Sequence, residues 1–349
     1  MIPVLAQQPI ILNLGLFVAA AVGVWFAGSR LAIYADAIAD RRRIGHAFMG
    51  LVFVAGATSL PEMVTTLYGA SAGEPKLVLG NMFGGIAMQT AILAVADGFA
   101  AAPLTSYPRK TTSALEAALL IVLLSLLLAL HGVGEFVLPF GVGLGTFCLG
   151  IAYVAIIVIL RRYGEGQTWM PVEVPETRKP LVGGVASKTL DRLPLSMLVW
   201  TFVFLSAAIL VCGVALTASA AALSEQTGLS SSFIGVTLLA SATSLPEVST
   251  TIAAVRIGAY SMAISNIFGS NLLMIMLVFP ADLAFSGGPI LEALDSSTSF
   301  ALISGVLVTA IYLAGLLLRS RRTIAGIGVD SALVLLVYGL TLLVFLRLG

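Results

Sequence analysis

The sequence predicts an all-α integral membrane protein: ten transmembrane helices forming two inverted five-helix repeats, with helices broken near the membrane midplane. Three observations lead there. First, the 349 residues are 59% hydrophobic and only 10% charged, against about 25% charged in a soluble globular chain. Such a chain cannot cover itself with a hydrated surface. Second, its basic residues segregate to alternate breaks between apolar stretches. Third, one hexapeptide and its surroundings recur at a fixed spacing. The composition excludes a soluble enzyme and a disordered scaffold, and the net charge of +1 excludes a basic nucleic-acid binder. Cys148 and Cys212 lie inside apolar runs and read as small core residues, with no disulfide framework behind them.

A bilayer is crossed by about 20 mainly apolar residues. Apolar runs between charged or Gly/Pro-rich breaks give ten spans, at 9–34, 45–70, 77–98, 112–131, 136–160, 196–223, 231–255, 259–284, 298–318 and 330–347. The first is long and lacks a basic leader, so it reads as a retained helix and not a cleaved signal. With the N-terminus outside, 16 of the 18 basic residues fall on the cytoplasmic side, leaving only Lys76 and Arg347 opposite. That bias is the positive-inside rule at work. It predicts a cell (inner) membrane protein with both termini outside the cytoplasm, and the Arg41–Arg43 triplet serves this topology. The stretch 161–195, with Pro171, Pro175, Pro180 and mixed charge, reads as a cytoplasmic linker. It separates a first repeat at 1–160 from a second at 196–349.

The repeat is explicit. Ala57-Thr58-Ser59-Leu60-Pro61-Glu62 returns 185 residues later as Ala242-Thr243-Ser244-Leu245-Pro246-Glu247. The same offset carries Thr65-Thr66 onto Thr250-Thr251, Asn81 onto Asn266, Gly84 onto Gly269 and Asp97 onto Asp282. Five spans separate equivalent positions, and five is odd, so the halves run in opposite directions through the membrane. Inverted repeats with interrupted helices at matching places point to a transport site near the midplane.

The hexapeptide also predicts the chemistry of that site. A glutamate inside an apolar span is costly without a partner, and a pseudo-twofold axis can bring Glu62 and Glu247 together. Two close carboxylates repel unless a proton or a cation neutralises them. Pro61 and Pro246 free the carbonyls of Ala57 and Ala242 four residues back. Thr58, Ser59, Thr243 and Ser244 add hydroxyls, and the second element of each repeat offers Asn81, Gln89, Asn266, Ser270 and Asn271. Carboxylate, carbonyl and hydroxyl oxygens without Cys or His suit Ca²⁺ or Na⁺ and do not suit zinc or copper. Other polar residues have plainer readings. Gly84 and Gly269 are expected to serve close packing, and Thr65, Thr66, Thr250 and Thr251 to bond their own helix backbones. Asp97 and Asp282 are expected to be solvated or capping, and His46 and His131 to mark the interfaces.

At these residues the chain resembles the cation/calcium exchanger superfamily, which contains sodium/calcium and calcium/proton exchangers. Ala57–Glu62 and Ala242–Glu247 are similar to its G-T-S-L-P-E signature. Gly80-Asn81-x-x-Gly84 and Ser265-Asn266-x-x-Gly269-Ser270-Asn271 resemble its glycine-asparagine segment, and Gly28-Ser29-Arg30 resembles its lead-in. The resemblance implies alternating-access antiport of Ca²⁺ against Na⁺ or H⁺. It implies Glu62 and Glu247 as central ligands, Thr58, Ser59, Thr243, Ser244 and Ser270 around them, and spans one and six as a sliding pair. Partners are then inorganic cations and the lipid bilayer, with no nucleic acid and no cofactor beyond the transported ions. Three positions depart from the pattern: Gly85 lacks a hydroxyl, Gln89 stands at the segment's last polar position, and its repeat mate is Met274, which offers no oxygen. A reduced set still fits one divalent cation traded for protons. An alternative is a degenerate, non-transporting homologue that senses Ca²⁺ or assembles with others. A serine-based membrane enzyme using Ser59 or Ser270 lacks a base, since both histidines sit at span ends.

Overall fold

The computed structural model describes residues 2–42, 55–108, 111–138, 141–165, 193–256, 258 and 260–348. Within these, the chain is helical almost throughout. A short α1 (Ile2–Ala6) precedes α2 (Ile10–Arg42). The second predicted span is represented by α3 (Ala55–Thr58) and α4 (Leu60–Ser71), its start lying outside the described residues. Then follow α5 (Pro75–Asp97), α6 (Thr112–Val133) and α7 (Leu144–Glu165). The second half opens with α8 (Leu195–Thr227). The seventh span is α9 (Ser231–Ile234), a π-helical turn at Gly235–Leu239, α10 (Ala240–Thr243) and α11 (Leu245–Arg256). The eighth is α12 (Tyr260–Met276) and α13 (Val278–Ala284), the ninth α14 (Ser296–Leu318) and the tenth α15 (Val329–Leu348). Among the described residues, eight helices are long and apolar enough to cross a membrane, and the pair at Ser231–Thr243 and Leu245–Arg256, bent by 47°, makes a ninth.

Two elements differ from the sequence expectation. The first and sixth spans were expected to end near 34 and 223, yet α2 and α8 are 33 residues each. At 1.5 Å per residue each is about 50 Å long, well beyond a ~30 Å hydrocarbon core. Between α14 and α15, a two-stranded ribbon pairs β1 (Thr323–Ile324) with β2 (Ile327–Gly328). Its two-residue turn places Ala325 at φ 52° and Gly326 at φ 87°, as a tight hairpin turn requires. The predicted linker lies largely outside the described residues, as do His46 and Arg43.

The main apolar core is shared by α5, α6, α12, α13 and α14. The long pair α2 and α8 pack on each other over separate clusters, Phe17, Ala20, Val24, Leu216 and Ala220 in one and Ala27, Leu31, Leu205 and Ile209 in the other. α5 is the most enclosed helix, which is possible because glycine lets its backbone touch a neighbour's. A Cβ on Gly80 would stand 2.6 Å from the Ser232 carbonyl, and one on Gly84 2.6 Å from Val236 Cα. Gly84 therefore serves close packing, as expected.

Contacts between loops fall into two groups. At one end Arg319 donates to the Ser106 carbonyl at 2.9 Å, Tyr107 stacks on Tyr260, and Arg256 lies over the Phe99 ring. At the other, Gln226 donates to the carbonyls of Ala6 and Gln8, and Ser232 donates to Asp295. Asp97 and Asp282 each tie one end. Asp97 accepts from the backbone of Leu104 at 2.5 Å and Gly328 at 2.6 Å. Asp282 accepts from Ile290 at 2.6 Å, Gly143 at 2.7 Å and the Thr146 hydroxyl at 2.5 Å. Both are 1% exposed, so the solvated reading gives way to the capping one. The exchange is reciprocal, because Gly143 and Gly328 are also 185 residues apart: each repeat's aspartate holds a backbone N–H of the other.

Candidate functional site

Both hexapeptides break their helix at the same residue. Ser59 has φ −84° and ψ 9°, Ser244 φ −81° and ψ 4°. The proline then falls at the second position of the new helix, where a missing N–H costs nothing. Glu62 and Glu247 therefore sit in the first turns of α4 and α11, both 0% exposed. The unpaired N–H groups of a first helical turn favour negative charge there. The two carboxylates lie close enough for their charges to repel.

Few donors answer them. Glu62 Oε1 receives a long bond of 3.5 Å from Gln89 Nε2. Among the described residues, Glu62 Oε2 and both oxygens of Glu247 lack a well-formed hydrogen bond, although the Thr58 and Ser270 hydroxyls lie beside Glu247. A buried carboxylate without compensation costs several kcal/mol. Neutralising such a pair takes a proton or a cation.

Neutral oxygens surround the pair. Ser59 Oγ and Ser270 Oγ lie 2.6 Å apart, which joins the two repeats directly. Gln89 donates to Ser244 Oγ at 3.4 Å and leaves its own Oε1 unpartnered. Beside this group Thr243 donates to Asn81 Oδ1 at 3.3 Å, and Asn81 Nδ2 donates to Thr65 Oγ1 at 3.3 Å. Asn81 is thus tied to both halves. Asn266 lies one turn before Ser270 on α12, and its amide nitrogen has no partner among the described residues. Ala242 is buried in α10 and Ala57 belongs to α3, each four residues before its proline. Asn271 reaches the Ile86 carbonyl and Thr90 at 3.5 Å, a tie between repeats.

The departures from symmetry pack on each other. A Cβ on Gly85 would stand 2.7 Å from Met274 Cε, so the missing side chain of one repeat makes room for the methionine of the other. Ser59 of the first repeat meets a serine of the second. Ser244 meets Gln89 instead, because its symmetric partner position is Gly85.

Glu116 was not singled out from the sequence, and two threonines depart from the reading given to them. Glu116, on α6, is 2% exposed and bonds Ser265, and its Oε2 is unpartnered. Its repeat equivalent is Ala301, so a search for matched residues passes over it. Thr66 and Thr251 were expected to bond their own helices. Thr65 and Thr250 do so, but the Thr66 and Thr251 hydroxyls are buried and have no partner among the described residues.

A family model described as "Sodium/calcium exchanger protein" matches residues 12–159 and 197–347. Inner membrane protein YrbG of Escherichia coli (strain K12) is 26% identical over 312 residues, covering 88% of this chain and 89% of its own. Three solved structures share the fold at 17% identity. They are an H+/Ca2+ exchanger CAX (TM-score 0.67, 98% of this chain, 87% of that one), native YfkE (0.60, 99% and 99%) and the sodium-calcium exchanger NCX_Mj (0.55, 96% and 99%). With both halves matched by one family model, the chain belongs to the sodium/calcium exchanger protein family.

Proposed function

We propose that the protein is a secondary-active antiporter that moves Ca²⁺ against H⁺ or Na⁺ by alternating access, with Glu62 and Glu247 as the shared cation and proton ligands. The observation that carries this reading is the buried, repeat-related carboxylate pair, three of whose oxygens lack a well-formed hydrogen bond among the described residues. One Ca²⁺ neutralises the pair, and two protons do the same, so exchanging them leaves the buried charge balanced. Thr58, Ser59, Ser244, Ser270 and Gln89 complete a hard oxygen shell; Asn81, Thr243 and Asn266 brace it, and the carbonyls of Ala57 and Ala242 lie at the breaks. Met274 against Gly85 withholds oxygen from one side, which favours one divalent cation over several ions. The α2–α8 pair, with its own core clusters, is the moving body. The proposed placement is an inner membrane with both termini outside, testable with reporter fusions at each terminus.

Vesicle flux decides the function. In proteoliposomes, an imposed proton or sodium gradient is expected to drive Ca²⁺ movement, and Glu62→Gln to abolish it. Calcium that stays put under both gradients overturns the reading. Calcium binding without gradient-driven flux supports the non-transporting alternative, which the Met274–Gly85 contact makes worth separating.

A further inference from the structure

Each repeat carries a tandem of threonines one turn beyond its glutamate, and the two members of each tandem behave differently. Thr65 Oγ1 donates to the Glu62 carbonyl at 3.1 Å, and Thr250 Oγ1 donates to the carbonyls of Pro246 at 3.0 Å and Glu247 at 3.2 Å. A helical threonine bonds back in this way to the carbonyl three or four residues before it. The second threonine of each tandem makes no such bond. Thr66 and Thr251, four residues past Glu62 and Glu247, are 0% exposed, and neither hydroxyl has a partner among the described residues. Side chains four apart on a helix lie on one face, so each free hydroxyl continues the carboxylate's own face by one turn.

A buried hydroxyl without a partner is unfavourable, and valine, of nearly the same shape, removes the penalty. Packing alone does not account for threonine at both places. We infer that Thr66 and Thr251 are a pair of flanking cation ligands, each taking a partly dehydrated hard cation on its way to or from the glutamate pair. The inverted halves put them on opposite sides of that pair, so Thr66 serves one membrane face and Thr251 the other. A hydroxyl suits this position because it replaces a water of hydration without holding the ion as tightly as a charge does. The inference rests on the antiport reading.

The test uses the full chain in proteoliposomes, with Ca²⁺ as the probe added separately to each face. Thr66→Val and Thr251→Val are each expected to lower the initial flux by about tenfold, the loss of one hydrogen-bond-strength interaction. Each is expected to weaken apparent affinity at opposite faces. Thr66→Ser and Thr251→Ser should restore flux to near the unsubstituted rate, and thermal unfolding of the valine variants should be no lower than that of the parent. Valine variants that transport normally, or serine variants that fail to rescue, overturn the inference and leave the antiport reading intact. If the unsubstituted protein moves no Ca²⁺ while it remains folded, both fall together.

Discussion

At the residue scale the site turns on two carboxylates that almost nothing in the protein satisfies. Replacing Glu62 or Glu247 by Gln removes one negative charge and relieves the repulsion between them. The substitution therefore leaves folding intact while removing the charge a divalent cation needs. Saturating Ca²⁺, at about a hundred times its dissociation constant, should stabilise the unsubstituted protein by about 2.7 kcal/mol. A thermal melt is expected to show that upward shift for the parent and none for Glu62→Gln combined with Glu247→Gln. Glu62, Glu247 and Ser59 stood out in the sequence because the repeat marks each twice, whereas Ser270 and Gln89, whose mates are Gly85 and Met274, were read from residue type and position alone. Thr66 and Thr251 were marked twice as well, but their role was not. Whether a helical threonine bonds its own backbone depends on which rotamer it takes, and residue type does not record that. Glu116 is illegible for the opposite reason, since nothing in the other half repeats it.

At the element scale, glycines set how closely the helices approach. A Cβ on Gly28 of α2 would stand 2.5 Å from Pro246 Cγ, and one on Gly213 of α8 would stand 2.7 Å from Val64 Cγ1. These glycines are 185 residues apart, so each long helix crosses one glutamate-bearing helix at an equivalent point. Gly28→Ala and Gly213→Ala are expected to slow turnover several-fold with cation binding little changed, because in the proposed cycle the obstruction lies on the sliding surface and not among the proposed ligands. Parallel measurements of flux and equilibrium Ca²⁺ binding separate the two effects. Gly84→Ala behaves differently, since its added methyl meets the backbone of Val236, which cannot step aside. Overpacking of that kind costs about 1–3 kcal/mol, so this variant should melt lower. Gly85→Ala meets only the mobile end of Met274 and should be the milder of the two. The spans themselves were readable from hydropathy. The full lengths of α2 and α8 were not, because their ends run past the apolar stretches that define a span.

At the scale of the whole molecule, the repeat is a set of reciprocal contacts that hold the halves together. Ser59 on one half bonds Ser270 on the other, and the aspartates tie the two ends. Asp97 holds Gly328 of the second half, while Asp282 holds Gly143 of the first. The sequence displayed the Asp97–Asp282 equivalence without revealing the N–H groups they bind, because donors from backbone leave no trace in residue type. Replacing either by Asn keeps the shape but turns part of the acceptor into a donor facing an N–H. Hydrogen bonds to charged groups contribute about 1.5–3 kcal/mol, so Asp97→Asn and Asp282→Asn should each destabilise the protein by about that amount. The two sites share no partner and lie at opposite ends of the bundle, a separation at which effects add to within about 0.5 kcal/mol. The double variant should therefore lose the sum of the single losses in denaturant titration. A double variant no worse than either single one would mean that the halves separate as soon as one end is released. The ends would then act as a single latch, and the transport cycle would have to keep both closed.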